Sequence, residues 1–321
     1  MRKRLLIAGI AAFWCFSSAL AADYPTRPIT FIVPFATGGP LDSLGRMLAE
    51  RMGAILGQRI VVENVAAAGG SVGVGRVVHA APDGYTISVG NWSTHVLNGA
   101  IYSLGYDLVN DLEPIVLLPS APQLIVARKN LPASNLGELI SWLKSNQANV
   151  GTAGIGSAGH VSALLFQRET GAQFAFVHYR GAGPAMVDLI GGHIDVMFDQ
   201  SSNSLPHIRD GTIKSYAVTS RARLAPAPDV PTVDEAGLPN FYIAVWNGLW
   251  APRGTPESVI AKLNSAAQEA LRDPSLRERL AALGQDVPRP DQASPAALGI
   301  LQQAEIAKWW PILKSANVKA E

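Results

Sequence analysis

Strand-like and helix-like segments alternate along this chain, and this alternation restricts its possible folds more than any other feature. Short β-rich apolar runs, such as residues 29–34 and 85–89, are each followed or preceded by segments with helical apolar spacing, such as residues 40–56. A similar order recurs over residues 150–198. Strands that alternate with helices form parallel sheets joined by right-handed crossovers. We therefore predict an α/β protein with two lobes, each a mostly parallel sheet flanked by helices.

The C-terminal part of the chain contains helical patterns without strands of their own, so we expect it to pack on the first lobe. The first lobe would then be discontinuous and comprise residues 23–116 and 222–321, and the second lobe would comprise residues 117–221. The chain would cross between the lobes twice, near residues 114–118 and 216–223. Two thin crossings between compact lobes form a hinge.

Residues 1–22 have the pattern of a secretory signal peptide. Three basic residues precede an apolar run at 5–16, and small residues follow it. The run is too short to span a bilayer, although an N-terminal membrane anchor is the alternative. We expect cleavage after Ala21 or Ala22 and a periplasmic location.

The composition argues against several classes of protein. The formal net charge of +1 provides no basic field for nucleic acid. The single cysteine, Cys15, lies in the signal peptide, so the mature chain would have no disulfide and no cysteine nucleophile. No grouping of His, Asp or Glu has metal-site spacing. We expect a monomer without a cofactor or a nucleic-acid partner.

Two glycine-rich loops, at residues 34–42 and 151–160, follow the first strand of each lobe. Such loops bring backbone N–H groups together, and the helix behind each adds unpaired N–H groups and a partial positive charge. Two of them at the carboxyl ends of facing sheets could clamp a carboxylate from both sides. The alternative is that the glycines only permit tight turns. The charge of Asp42 would repel an anion, so we expect this residue to cap the first helical turn or to face a polar ligand group.

Two motifs indicate enzymes instead. Gly154, Gly156 and Gly159 match the dinucleotide fingerprint G-x-G-x-x-G, but the ribose-binding acid expected after the next strand is missing. Residues 69–73 match the nucleophile elbow G-x-S-x-G, so an exported serine hydrolase that uses Ser71 is an alternative. That elbow requires a strand that ends at the serine, and here a loop intervenes.

A series of short segments distributed over the chain adds a more specific indication. In order, they are Arg27-Pro28-Ile29, Pro34-Phe35 and Gly38-Gly39 with Asp42, Ala81-Pro82-Asp83-Gly84-Tyr85, Gly154-Ile155-Gly156-Ser157 with His160, Tyr179-Arg180-Gly181, Asp229-Val230-Pro231-Thr232, Glu235-Ala236-Gly237, Trp246-Asn247-Gly248-Leu249 and Ala251-Pro252 with Gly254-Thr255-Pro256. With these segments the chain resembles the substrate-binding receptors of tripartite tricarboxylate transporters, the Bug-type receptors.

The resemblance implies a protein with a two-lobed periplasmic-binding-protein fold, a "Venus flytrap". It also implies that the protein is not an enzyme. Such a receptor captures a small mono-, di- or tricarboxylate and delivers it to integral membrane subunits of the transporter. Aromatic acids are among the candidate ligands. A ligand-sensing module for a membrane kinase is an alternative. The expected ligand-binding residues are Ala36, Thr37, Gly38, Gly39, Asp42, Asn91, Trp92, Ser93, Thr94, His95, Gly154, Ile155, Gly156, Ser157, His160, Tyr179, Arg180, Gly181 and Asp199.

Several of these side chains have a second interpretation. Trp92 could form an aromatic wall or pack in the core. Ser157 could donate to a carboxylate or cap its helix. Arg180 could pair with a second carboxylate or lie on the surface. Asp199 is polar at the end of an apolar strand, which favours a position in the cleft.

Overall fold

A computed structural model describes residues 24–320. The predicted signal peptide, with its cleavage after Ala21 or Ala22, lies outside the described residues. The strands are β1 (Ile29–Val33), β2 (Ile60–Asn64), β3 (Thr86–Asn91), β4 (Leu112–Arg128), β5 (Asn149–Thr152), β6 (Ala175–His178), β7 (Val196–Gln200), β8 (Ile213–Val218) and β9 (Ala244–Pro252). The helices are α1 (Pro40–Leu56), α2 (Ser71–Val78), α3 (Asn98–Ile101), α4 (Leu136–Ser145), α5 (Ala158–Thr170), α6 (Ala182–Gly191), α7 (Ser201–Arg209), α8 (Glu257–Arg272), α9 (Pro274–Ala282) and α10 (Pro295–Ser315).

The strands form one hydrogen-bonded path in the order β2-β1-β3-β9-β4-β7-β5-β6, with β8 also paired to β4. In the first part, β1 is parallel to β2 and β3, and β9 is antiparallel to β3 and β4. In the second part, β5 is parallel to β6 and β7, and β4 is antiparallel to β7 and β8. We call the first part with its helices lobe 1 and the second part with its helices lobe 2. The predicted fold class, an α/β protein with two lobes, is confirmed. The sheets are mixed, because each lobe has two parallel and two antiparallel strand pairings.

Helix α1 illustrates how the sequence sets the elements that carry the site. Proline at its first position supplies the φ angle that a helix needs, and Leu41, Leu44, Leu48 and Met52 bury one face. The helix ends at Gly57, which has a φ of 68°, a conformation that glycine adopts without steric cost. The predicted range 40–56 is confirmed.

Strand β4 belongs to both sheets. It pairs with β9 as far as Pro122, and from Gln123 onward it pairs with β7. The register with β9 shifts between Leu118 and Ala121, where the strand passes towards lobe 2. The sequence prediction placed this crossing near 114–118 and did not identify the long strand, because prolines within a run argue against a strand.

The second crossing is the segment 219–243, between β8 and β9. Thr219 Oγ1 donates to Ile243 O at 2.6 Å and accepts a hydrogen bond from Gln123 N at 2.9 Å. The two crossings are therefore hydrogen-bonded to each other. The lobe boundaries at 116/117 and 221/222 stay a prediction, since β4 continues without a break through residue 116.

The C-terminal helices cover lobe 1. Helix α8 packs on α1 and β4, and α10 packs on β4 and α3. Gln302 of α10 donates to His95 O at 2.9 Å and to Leu108 O at 3.0 Å, and Trp310 Nε1 donates to Val96 O at 2.8 Å. Within residues 24–320, none of the helices has the length and apolar character required to cross a membrane.

Candidate functional site

A pocket lies between the lobes at the carboxyl ends of β1, β3, β5 and β7, the position where open α/β sheets bind ligands. The cavity volume is about 40 Å³, and the lobes touch each other around it. The pocket is lined by Phe35, Gly39, Pro40, Leu41, Asn91, Ser93, Gln123, Gly151, Thr152, Ala153, Ser157, Ala158, Gly159, Ala182, Met197, Phe198, Asp199 and Gln200.

The N-termini of four helices contribute to this lining. Residues 39–41 begin α1, residues 157–159 begin α5, Ala182 begins α6, and Gln200 is the N-cap residue of α7. The first N–H groups of a helix have no partner within the helix, and its dipole places partial positive charge there. The pocket therefore attracts an anion although no Lys, Arg or His is among the described residues that line it.

The first glycine loop is held by the helix that follows it. Gly38 N donates to Asp42 Oδ2 at 2.9 Å, and Arg46 Nη2 lies 2.9 Å from Asp42 Oδ1. Burial raises the pKa of Asp42, but the hydrogen bonds from Arg46, Gly38 and Asn64 outweigh burial and lower it overall. Asp42 is thus an ionised, paired residue in the first turn, and its position agrees with the capping role expected from the sequence.

The second glycine loop is held in a similar way by a different group. Gly156 N donates to His160 Nδ1 at 3.1 Å, and His160 N donates to Ser157 Oγ at 3.3 Å. Burial, with a smaller contribution from the neighbouring His178, lowers the pKa of His160 to about 4. Since Nδ1 accepts a hydrogen bond, the imidazole is neutral and carries its proton on Nε2.

Direct contacts across the gap show that the lobes are closed. Ala36 N of lobe 1 donates to Arg180 O of lobe 2 at 3.0 Å, and Tyr102 Oη of lobe 1 donates to Ile155 O at 2.8 Å. A Cβ atom at Gly156 would lie 3.1 Å from Asn98 Oδ1. Residues 154–156 therefore face lobe 1 directly, whereas the following residues 157–159 face the pocket.

The structure places some of the predicted site residues in the pocket lining and others around it. The lining contains Gly39, Asn91, Ser93, Ser157 and Asp199. Outside the lining lie Ala36, Thr37, Gly38, Asp42, Trp92, Thr94, His95, Gly154, Ile155, Gly156, His160, Tyr179, Arg180 and Gly181. Ligand contact by any of these residues stays a prediction.

Several of the predicted side chains outside the lining pack against other residues and are directed away from the pocket. Trp92 is buried and its ring centroid lies 4.8 Å from that of Trp309. His95 stacks on Trp250 at 3.7 Å in the interior of lobe 1. Tyr179 Oη donates to Asp188 Oδ2 at 2.5 Å, and the Arg180 side chain is exposed. Trp92 thus packs in the interior and Arg180 lies on the surface, while ligand contact by either residue stays a prediction.

Asp199 is the one ionisable residue in the described lining. It is 3% exposed, and its Oδ2 accepts hydrogen bonds from Ser204 Oγ at 2.6 Å and from Asn203 Nδ2 at 2.9 Å. Burial raises its pKa to about 6 although those hydrogen bonds act in the opposite direction. The pocket thus combines donors at the helix N-termini with a strong acceptor.

Sequence reasoning did not identify Gln123, Thr152 and Gln200 as lining residues. Gln123 was not identified because its strand was not predicted. Thr152 and Gln200 each end a strand of lobe 2, directly before a helix or a loop. A polar residue at that position is the signal that could have identified them, as it did for Asp199.

The geometry around Ser71 differs from a nucleophile elbow. Ser71 is the first residue of α2 and follows a 3₁₀ turn at Ala68–Gly70, whereas β2 has already ended at Asn64. It is not part of the pocket lining. The serine-hydrolase alternative therefore has no strand-to-helix turn to expose the hydroxyl.

Two α/β lobes that close over a pocket built from helix N-termini define a solute-binding protein of the periplasmic type. The model of the tripartite tricarboxylate transporter family receptor, TctC, matches residues 44–318, and the chain belongs to this family.

Solved structures agree with this assignment. The periplasmic binding protein BugD has 39% sequence identity and a TM-score of 0.89, with 92% of this chain and 100% of that chain covered. MatC from Rhodopseudomonas palustris, solved with bound malate, has 43% identity and a TM-score of 0.87, with 90% and 100% covered. A further R. palustris protein, solved with adipate, has 32% identity and a TM-score of 0.87, with 92% and 100% covered.

Proposed function

We propose that this chain is an exported receptor that captures a small organic carboxylate between its lobes and delivers it to the membrane subunits of a tripartite transporter. The observation that carries the proposal is the convergence of four helix N-termini on one pocket whose lining, among the described residues, contains no basic side chain. Malate bound to MatC and adipate bound to the second R. palustris protein support a carboxylate ligand.

The physical basis is recognition by the main chain. A carboxylate accepts hydrogen bonds from unpaired N–H groups at a helix N-terminus, and the helix dipole favours its charge. Both lobes supply such groups, at Gly39 and Leu41 and at Ala158 and Gly159, so the ligand completes its contacts only when the lobes are closed. Enclosure also removes water, which strengthens each of these hydrogen bonds.

Isothermal titration calorimetry against a panel of mono-, di- and tricarboxylates, aromatic acids included, tests the capture step. We expect at least one acid to bind with a Kd of roughly micromolar or lower. The matching amides, which keep the shape and lose the charge, are the control and should bind at least about tenfold more weakly. A flat response to every acid contradicts the proposal.

Delivery to a transporter is a separate step with its own test. Membrane subunits of a tripartite transporter from the same organism, reconstituted in liposomes, should take up the bound acid only when the receptor is present. Capture by a membrane kinase without any uptake would assign the receptor to sensing instead.

A further inference from the structure

A second cavity lies outside the cleft, between helix α5 of lobe 2 and the end of helix α10, which covers lobe 1. Its volume is about 420 Å³, against about 40 Å³ for the pocket between the glycine loops. It shares no lining residue with that pocket. Its size falls within the roughly 300–1,000 Å³ of small-molecule sites. We call this cavity the α5–α10 groove.

Helix α5 forms one wall of the groove with a single helical face. Val161, Leu164, Leu165 and Arg168 follow the spacing i, i+3, i+4 and i+7, so they lie side by side along the helix. At 1.5 Å per residue, this row is about 10 Å long. Val161 is buried, but Leu164 and Leu165 are only half-buried, so the wall leaves apolar surface uncovered.

The opposite wall is aliphatic. Ile312, Leu313 and Ala316 lie at the end of α10, and Val318 follows the helix. Aromatic residues are absent from the described lining, so the groove offers no ring for a flat ligand to stack on. An aliphatic chain therefore fits the walls best, because burial of apolar surface is the main favourable interaction that they provide.

Two polar residues complete the lining, and one of them is already engaged. Gln167 Nε2 donates to Phe174 O at 3.2 Å. The side chain of Arg168 is exposed at one end of the α5 row and forms no ion pair with any residue from 24 to 320. The described lining contains no acidic side chain. Since a guanidinium group stays charged and has five N–H donors, it complements a carboxylate at this end of the groove.

We infer that the α5–α10 groove binds a medium-chain fatty acid, with its alkyl chain along α5 and its carboxylate on Arg168. The aliphatic walls and the cation at one end of the row match the two parts of such a molecule. One wall belongs to each lobe, so the fatty acid contacts both lobes without entering the cleft. The inference does not depend on which ligand the cleft binds.

Calorimetry with octanoate tests the inference, because the extended octanoate chain is about as long as the α5 row. We expect one molecule to bind per chain with a Kd below about 1 mM. Hexanoate, which is shorter by two methylene groups, should bind about tenfold more weakly because it buries less apolar surface. 1-Octanol keeps the chain without the charge and should also bind about tenfold more weakly, since a hydrogen bond between charged groups is lost.

Two variants show whether octanoate occupies the groove. Ala316→Trp changes an exposed residue at the end of α10 and places a bulky ring in the groove, so it should abolish octanoate binding. Arg168→Gln should reduce the affinity for octanoate to that for 1-octanol and leave the affinity for 1-octanol unchanged. Thermal unfolding of both variants shows that the fold is retained.

Arg272 provides a matched control for Arg168. It is also an exposed arginine in the last turn of a helix, α8, and it does not line the groove. Arg272→Gln removes the same charge from the protein and should bind octanoate like the wild type. A general effect of net charge would weaken octanoate binding equally in both arginine variants and would contradict the role of Arg168.

Three results would overturn the inference. They are the absence of detectable octanoate binding, unchanged octanoate affinity in Ala316→Trp, and equal affinities for octanoate and 1-octanol. If sedimentation shows that the wild-type chain is a dimer and that Ala316→Trp dissociates it, the groove is a surface between two copies and the fatty-acid site is wrong. Capture of small acids in the cleft is measured separately, so the proposed function holds or fails independently of these results.

Discussion

The two glycine loops have the same design but use different chemistry. In each, a glycine N–H donates to the side chain four residues later, Gly38 to Asp42 and Gly156 to His160. The first acceptor is an ionised carboxylate paired with Arg46, and the second is a neutral imidazole. Their surroundings differ as well, since a Cβ at Gly38 would meet nothing within 4 Å and one at Gly156 would meet Asn98, Ile101 and Tyr102.

Loop 1 (residues 34–42) and loop 2 (residues 151–160) both contact the opposite lobe, since Ala36 N donates to Arg180 O and Gly183 lies against Thr37 and Gly38. The two glycines differ in that an added side chain at Gly156 would meet the opposite lobe, whereas one at Gly38 would not.

The largest difference between the loops should appear when each glycine is replaced by valine. Both positions have positive φ, 84° at Gly38 and 75° at Gly156, so both variants lose about 1–2 kcal/mol of folding stability. Only Gly156→Val places a side chain against lobe 1, and we expect its ligand affinity to fall about 100-fold because the lobes cannot close. Gly38→Val is the matched control and should bind within about threefold of wild type.

Calorimetry measures both affinities, and thermal unfolding measures both stabilities. Equal losses of affinity in the two variants would contradict the distinction between the loops.

As the pH falls, the stabilisation from the His160 contact in loop 2 should be lost before that from the Asp42 contact in loop 1. The pKa of His160, about 4 in the folded protein, lies below its ordinary value of 6.5, so the unfolded chain binds the proton first. The stabilisation is complete above pH 6.5 and is lost as the pH falls towards 4, by about 1–3 kcal/mol. The lowered pKa of Asp42 confines the corresponding loss at loop 1 to more acidic solutions, below about pH 4.

His160→Asn separates the two contributions because the asparagine Oδ1 can still accept from Gly156 N but does not titrate. Denaturant unfolding at a series of pH values should show a shallower loss of stability between pH 6.5 and 4 for this variant. Buried His95, whose pKa is lowered to about 3, remains in both proteins and contributes equally. An unchanged slope would show that His160 does not control the acid response.

A smaller effect is expected at the hydrogen bond that joins the lobes. Tyr102→Phe removes the donor to Ile155 O and costs about 1 kcal/mol of closure, which corresponds to about fivefold in affinity. Tyr106→Phe is a suitable control, because Tyr106 Oη donates to Ser71 O within lobe 1. Calorimetry should find the weaker binding only in the first variant. The same loss in both would indicate a general effect of the hydroxyl groups on folding.

The sequence predicted the elements of the fold where its local signals were strong. Helix α1 has a proline start, a regular apolar face and a glycine end, and its limits were found to the residue. Strand β4 was missed because Pro114, Pro119 and Pro122 contradict strand propensity, and only pairing with β9 and β7 keeps the segment extended. Propensity is a local property, whereas this strand is stabilised by partners distant in sequence.

The site was predictable to the level of its loops but not of its individual contacts. The glycine pattern located the beginnings of α1 and α5, whose N-cap residues are Gly39 and Ser157, since that pattern reports backbone conformation directly. Whether Trp92 or Gln123 faces the pocket depends on how the lobes pack, and no spacing in the sequence contains that information. In the structure the Trp92 ring packs against the Trp309 ring, and Gln123 lines the pocket.

Strand β4 also limits how the molecule can move. A receptor whose lobes are joined by unstructured linkers could swivel in many directions. Here a ribbon of two antiparallel strands, β4 and β9, runs out of lobe 1, and its pleat resists sideways bending. We therefore expect opening to follow one main direction, with the bend at the irregular register between Leu118 and Ala121.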